Sequence, residues 1–191
     1  MYVKRLRRIY ITISILLGIL SPIICYILLP EFNIIKHPLS YFGIVEQTNM
    51  FWQFSLIIIS FGLVINGIRR VNQFIKRKNF HIILKSILIV STIFLILTAL
   101  FTMKYDFWHH LFAILFFLTY NFFVFLFGII RSLSYVRRGI NSVIIGCLML
   151  LSSLLILPFP SSGIAEVIYI TLIILWNSLF FLKGMKYQKA K

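Results

Sequence analysis

Charge of either sign is scarce in this chain, and acid is scarcest. Asp, Glu, Lys and Arg make up 12% of 191 residues, and only Glu31, Glu46, Asp106 and Glu166 are acidic. Hydrophobic residues reach 61%, with a mean hydropathy of +1.01. That balance excludes a soluble globular fold, because so short a chain has too little interior to hide its Ile, Leu and Phe. Cysteine is nearly absent as well. Cys25 and Cys147 form no Cys-x-x-Cys or metal-type spacing and fall in different apolar runs, so they are expected to be two apolar, buried thiols without a disulfide. No G-x-S-x-G elbow, P-loop, H-E-x-x-H motif or dinucleotide fingerprint is found. No repeat of 20–50 residues stands out, and no segment is long enough for a soluble domain. No charge is expected in mid-membrane, which counts against an ion-coupled transporter or a proton pump.

What the chain does have is six long apolar runs. They predict helices at about 9–29, 48–68, 82–102, 109–130, 140–157 and 164–182, each long enough to cross a hydrocarbon core of about 30 Å. Runs such as Leu56-Ile57-Ile58-Ile59 would suit strands in water, but their length and lack of alternation favour helices. The expectation is an all-α, polytopic membrane bundle of six transmembrane helices forming one domain over residues 1–191. Ile9 to Leu29 is too long for a signal peptide and lacks a small-x-small cleavage site. Bulky Ile23 and Ile24 before Cys25 argue against a lipoprotein, so the first span is retained.

The bases order the spans. Four Lys or Arg lie in the N-terminus, six in 69–85, three in 131–138 and four in the C-terminal tail, against only Lys36 and Lys104 on the other side. Cationic loops stay cytoplasmic, so both termini are expected there. A net charge of +15 would suggest nucleic acid in a soluble protein. Bases that flank apolar runs instead meet anionic lipid on the cytoplasmic side, and no nucleic-acid partner is expected. The expected location is a cell membrane, as a multi-pass protein. All four acids then face outward. Glu46, Asp106 and Glu166 lie at helix starts, where the dipole favours a carboxylate, while Arg69, Arg131 and Lys183 lie at inner helix ends. Charge placement alone therefore marks no active site. Pro158 to Gly163 reads as a tight turn making the last two spans antiparallel neighbours.

Two outer segments concentrate polar side chains. The loop Pro30 to Gln47 is long enough to be functional and carries His37-Pro38-Leu39-Ser40-Tyr41-Phe42-Gly43. His37 and Ser40 could line a site above the bundle, or the segment could simply cap it. The second segment, Asp106-Phe107-Trp108-His109-His110, opens the fourth span. On a helix Asp106 reaches His109 or His110, and a carboxylate that orients an imidazole is the support of many metal and acid–base sites. Adjacent histidines point about 100° apart and do not grip one ion together, so no metal is expected. Asn121, eleven residues beyond His110, falls on the same stripe. It should face the bundle as interhelical glue or as the floor of a polar cavity. The scattered Ser55, Ser60, Ser91, Thr92, Thr98, Ser152 and Ser153 should bond back to their own helices; Asn66 and Asn177 are the other polar residues within the spans.

The segment His37–Gly43 after a first span, followed by Phe51-Trp52-Gln53-Phe54-Ser55, resembles the prokaryotic "domain of unknown function 998" membrane proteins. His109-His110-Leu111-Phe112-Ala113, continuing through Phe116-Phe117 to Tyr120 and Gly128, resembles that family's fourth-span signature. The likeness implies the six-span layout and nominates Ser40, Gly43, His110 and Ala113 as signature positions without a reaction. Tyr41 departs from the pattern, standing where an acidic or small polar residue is expected, which counts against a shared catalytic role for the loop. The family is similar in layout to the eukaryotic Frag/DRAM/Sfk group, which is linked to lipid remodelling.

Three functions fit these residues. The first is a non-enzymatic membrane protein that binds or organises a lipid or other amphiphile at an outer polar site, with His37, Ser40, His110 and Asn121 as ligand-binding candidates and no cofactor. The second is a lipid hydrolase, metal- or Ser/His/Asp-dependent, with Ser40, Asp106, His109 and His110 as catalytic candidates. It would resemble the alkaline ceramidase and progestin-receptor superfamily, but that group has seven spans. The third is an accessory or immunity-type subunit. The orientation itself is testable. A cysteine introduced into the Pro30–Gln47 loop should react with impermeant thiol reagents on intact cells, and one beside Arg137 should not; the reverse labelling would invert the topology.

Overall fold

The computed structural model describes residues 2–134, 136–156 and 163–189, and those residues form six α-helices without a strand. They are α1 (Tyr2–Leu28), α2 (Asn49–Phe74), α3 (Asn79–Leu100), α4 (Asp106–Ser132), α5 (Val136–Ile156) and α6 (Gly163–Lys189). By length and composition, Arg5–Leu28, Asn49–Phe74, Asn79–Leu100 and Met103–Ser132 are each sufficient to cross a membrane. Gly139–Leu155 and Gly163–Leu179 complete the set as shorter apolar helices. The chain is an all-α membrane bundle. The turn expected between Pro158 and Ser162 lies outside the described residues.

Successive helices are neighbours, and α1 meets α6 to close the ring. Hydrocarbon gives apolar helices no hydrophobic reason to associate, so small residues and polar bonds must hold them. On α4 and α5 the glycines do this. A Cβ on Gly128 would lie 2.7 Å from the Val143 nitrogen, and one on Gly146 would lie 3.1 Å from the Phe125 Cα. Gly62 of α2 admits the Ser14 side chain of α1 in the same way. Beside these contacts Asn121 turns toward α5. The amide orientation that satisfies both neighbours donates to the Gly146 carbonyl at 2.7 Å and accepts from Leu150 N at 3.2 Å.

The apolar centre is aromatic. Trp176 of α6 is fully buried, edge-on to Tyr120, Phe123 and Phe127 of α4 at centroid distances of 6.4, 5.8 and 5.6 Å. Its indole N–H donates to the Ser142 hydroxyl of α5 at 3.0 Å. The scattered hydroxyls behave as expected: Ser55, Ser60, Ser91, Thr92, Thr98, Ser152 and Ser153 all donate to carbonyls of their own helices.

Two expectations need correction. The second helix does not stop at 68 but continues to Phe74, since Arg69 and Arg70 are good helix formers and nothing before Ile75 interrupts the ladder. Arg70 is consequently carried into the bundle, 2% exposed, level with Asn177. A charge does lie inside. Its guanidinium sits 4.0 Å above the Trp176 ring and donates from Nη2 to the Asn177 carbonyl at 2.5 Å. Indole and carbonyl supply part of the polarity that such a group needs in a buried site. The thiols also differ: Cys25 is buried under the first loop, whereas Cys147 is exposed on the outside of the bundle.

Replacing Asn121 with Leu should lower stability by about 1 kcal/mol, the scale of interhelical hydrogen bonds in membranes. Thermal denaturation in detergent checks this, and an unchanged midpoint would show that the amide does not hold α4 to α5.

Candidate site beneath the first loop

The end of the bundle that carries the acids is covered by the segment between α1 and α2. Asn33 begins its turn: its side-chain oxygen accepts from Ile35 N at 2.9 Å, and its carbonyl accepts from His37 N at 2.8 Å. Pro38, in extended conformation, precedes a short 3₁₀ turn over Leu39–Gly43. Phe32 lies on Phe42 at 4.3 Å, and Phe42 on Trp52 at 5.5 Å, which seats the loop on α2. The Thr48 hydroxyl donates to the Phe42 carbonyl at 2.7 Å, and Gly163 N at the start of α6 donates to the Ile34 carbonyl at 2.8 Å.

The main polar clamp is Glu166, in the first turn of α6. Its Oε2 accepts from Leu39 N at 2.6 Å, and the Ser40 backbone N–H also bonds to the carboxylate. Glu31, Glu46 and Asp106 remain exposed at the same end, so Glu166 is the acid turned inward. Helix-dipole reasoning explains a carboxylate at that position. It does not reveal a partner 127 residues away.

Below the loop is a cavity of about 110 Å³ between α1, α2, α3, α4 and α6. Ser40, His109 and Glu166 lie at its mouth, and Asn66 and Asn177 at its floor. Between them the walls are apolar, including Leu56, Ile59, Ala113, Phe116 and Ile170. Glu166 and Asn177 stand eleven residues apart on α6, so the cavity runs about 16 Å along the helix at 1.5 Å per residue. The floor is closed by amides. Asn66 Nδ2 donates to Asn177 Oδ1 at 2.9 Å, and Asn177 Nδ2 donates to the Tyr120 hydroxyl at 3.0 Å and the Ile173 carbonyl at 2.8 Å.

The α1 wall is more polar than its sequence suggests. Ser14, Gly18 and Ser21 recur at spacings of four and three, which places them on one face, and all three line the cavity. Pro22 beside them has no N–H, so the Gly18 carbonyl lacks its usual helical donor. Ser14 and Ser21 are 5% and 2% exposed, yet their hydroxyls make no hydrogen bond among the described residues. The other buried helical serines all have partners.

The two histidines of α4 part company. His109 is buried, lines the cavity, and donates from Nδ1 to the Phe101 carbonyl at 2.7 Å, with Thr98 also against the ring. It thereby caps the open carbonyl end of α3. His110 stands at the rim instead, its Nδ1 2.8 Å from the Asp106 carbonyl and 3.3 Å from Asp106 Oδ1. That carboxylate–imidazole pair is the one the spacing allows, but it faces away from the cavity lining. His37 also stays outside, stacked on Tyr41 at 4.5 Å with Nδ1 accepting from Asn33 N at 3.3 Å. Of the catalytic and ligand-binding candidates singled out from sequence, Ser40 and His109 line the cavity. His37, Asp106 and His110 lie around its rim, and Asn121 is committed to α5. No cluster of three or more His, Cys, Asp or Glu that could hold a metal occurs among the described residues.

A family model described as a protein of unknown function, DUF998, matches residues 12–183. The chain belongs to the DUF998 family. No curated protein and no solved structure matches it. In this DUF998 protein the positions nominated by the fourth-span and loop signatures have distinct surroundings. Ser40 and Ala113 line the cavity, His110 guards the rim, and Gly43 is buried with room for Trp52 beside it.

Glu166→Ala should release the loop. Hydrogen bonds to a charged acceptor contribute about 1.5–3 kcal/mol, so Leu39 and Ser40 amides should exchange with deuterium at least tenfold faster while the middle of α4 is unchanged. Glu166→Gln, which keeps an acceptor, should lie between. Unaltered exchange in the Ala variant would show that aromatic packing alone seats the loop.

Proposed function

We propose that this DUF998 protein binds a single hydrocarbon chain of a membrane amphiphile in the cavity under its first loop. The observation that carries the reading is a narrow apolar channel with polar groups at both ends. Its run of about 16 Å is close to half of a hydrocarbon core of about 30 Å, the depth of one leaflet. Its volume lies below that of an engineered cavity of about 150 Å³ that admits one benzene. The length suits one chain, and the volume admits only a short stretch of it and not the paired tails of a bilayer phospholipid. Apolar walls with few placed polar groups are the usual form of a small-molecule site.

The reading takes the acidic end as the outer face and the basic end as cytoplasmic, where its bases meet anionic lipid. It places the protein in a cell membrane, and the likeness to prokaryotic membrane proteins favours a prokaryotic plasma membrane. Hydrolysis is less well supported. Ser40 and His109 share the cavity, but the His109 Nδ1 is held by a backbone carbonyl and Glu166 by backbone N–H groups. The carboxylate thus does not orient the imidazole as it does in a Ser-His-acid triad. An accessory-subunit role leaves the cavity without a use.

Ala113 offers the test. Ala113→Leu adds side-chain volume to the wall of an existing cavity, so it should leave the melting temperature of the purified protein within a few degrees. It should also lower the amount of co-purifying single-chain lipid, read by mass spectrometry, by at least tenfold. Equal lipid content in the wild type and a stable variant would reject the cavity as a chain-binding site.

A further inference from the structure

The polar groups around the cavity specify more than a chain. At the mouth, Glu166 is an acceptor, and two backbone N–H groups leave part of its lone-pair capacity unused. His109 spends its Nδ1–H on Phe101, so the neutral ring has Nε2 left as an acceptor. The Ser40 hydroxyl can give or take. Among the described residues no Lys or Arg lines the cavity, and the two basic residues at this end, Lys36 and Lys104, are both exposed. An anionic head such as phosphate would leave water without a Lys or Arg to pair with, and burying an unpaired charge is costly. A head that donates hydrogen bonds meets the opposite situation.

Deeper on the α1 wall the need is reversed. Ser21 lies seven residues from the end of α1, about 10 Å of helix rise below it. Its hydroxyl faces the cavity and makes no hydrogen bond among the described residues, although a helical serine ordinarily bonds back to its own turn. An occupant of the cavity can therefore offer it an acceptor that the helix does not.

Resting on the chain-binding reading above, we infer that the occupant is an acyl ester or amide with an uncharged, hydroxyl-bearing head: a monoacylglycerol or a fatty-acyl amino alcohol. The head hydroxyls donate to Glu166 and His109. The carbonyl below them accepts from Ser21. The first carbons of the acyl chain enter between α2, α4 and α6, in the direction of the Asn66–Asn177 floor. Both named sources share one chemistry, a hydroxylated head joined by a carbonyl to a single chain.

Tryptophan quenching can test this, because Trp52 lines the cavity. The protein is used in nanodiscs with Trp108→Phe, which removes the tryptophan exposed on the bundle surface. Three probes carry the same dibrominated chain: a monoacylglycerol, a lysophosphatidate and a long-chain alcohol. The monoacylglycerol should quench at a half-saturating concentration at least tenfold below that of the lysophosphatidate. Ser21→Ala should weaken the monoacylglycerol three- to tenfold and leave the alcohol, which has no carbonyl, unchanged. Ser21 makes no internal bond, so that variant should fold normally, which its melting temperature verifies.

A lysophosphatidate that binds as tightly or more tightly overturns the head-group inference. So does a Ser21→Ala variant that binds monoacylglycerol as the parent does. In either case saturable quenching by any probe leaves the chain-binding cavity standing. Absence of quenching by all three rejects both.

Discussion

Asn177 ties together helices that would otherwise have little reason to stay together. In hydrocarbon, burying one apolar side chain against another gains nothing over burying it in lipid. The amide of Asn177 accepts from Asn66 on α2 and donates to Tyr120 on α4, while its backbone carbonyl accepts a hydrogen bond from Arg70 Nη2. Three helices that are not all sequence neighbours are thereby fixed around one point. Above that point they diverge enough to leave a cavity; below it Arg70 and Trp176 fill the space. The floor of the site is a product of the same bonds that hold the bundle.

The spans were legible because hydrophobic length is a one-dimensional property. A run that must cross a hydrocarbon core needs no information from the rest of the chain, and the six helices fall where the apolar runs do. Helix ends were less visible. Arg69 and Arg70 mark an interface by charge, but the backbone ladder of α2 ignores that mark and continues another turn, carrying Arg70 inside. What decides such an end is local helix propensity together with an indole to receive the cation, and the indole lies more than a hundred residues away.

The site was legible in its parts and not in its arrangement. Ser40 and His109 could be singled out because both are polar residues beside long apolar runs. Spacing showed that His109 and His110 point in different directions, but not which of the two turns inward. That choice is made by the end of α3, whose carbonyls need a donor that His109 supplies. Glu166 was visible as an acid at a helix start, and the dipole was a sufficient reason for it. Its bond to the first loop depends on a closure between the two ends of the chain that no local pattern encodes. The hydroxyls of Ser14 and Ser21 look ordinary in a helix; only the ladder of partnered serines elsewhere in the bundle shows that these two differ.

Pro22 gives α1 a mechanical character that its neighbours lack. A helix that has lost one backbone bond bends more easily there, and in this bundle the missing bond lies along the cavity wall, between Gly18 and Pro22. The other walls are continuous helices, stiff over the same depth. Widening the passage therefore requires the flexing of one strut and not the separation of the bundle. On the proposed chain-binding role, affinity would be set by the groups that touch the occupant, and its residence time by how readily α1 bows outward. The two quantities are governed by different residues, and a straightened first helix would slow the traffic without altering the chemistry of recognition.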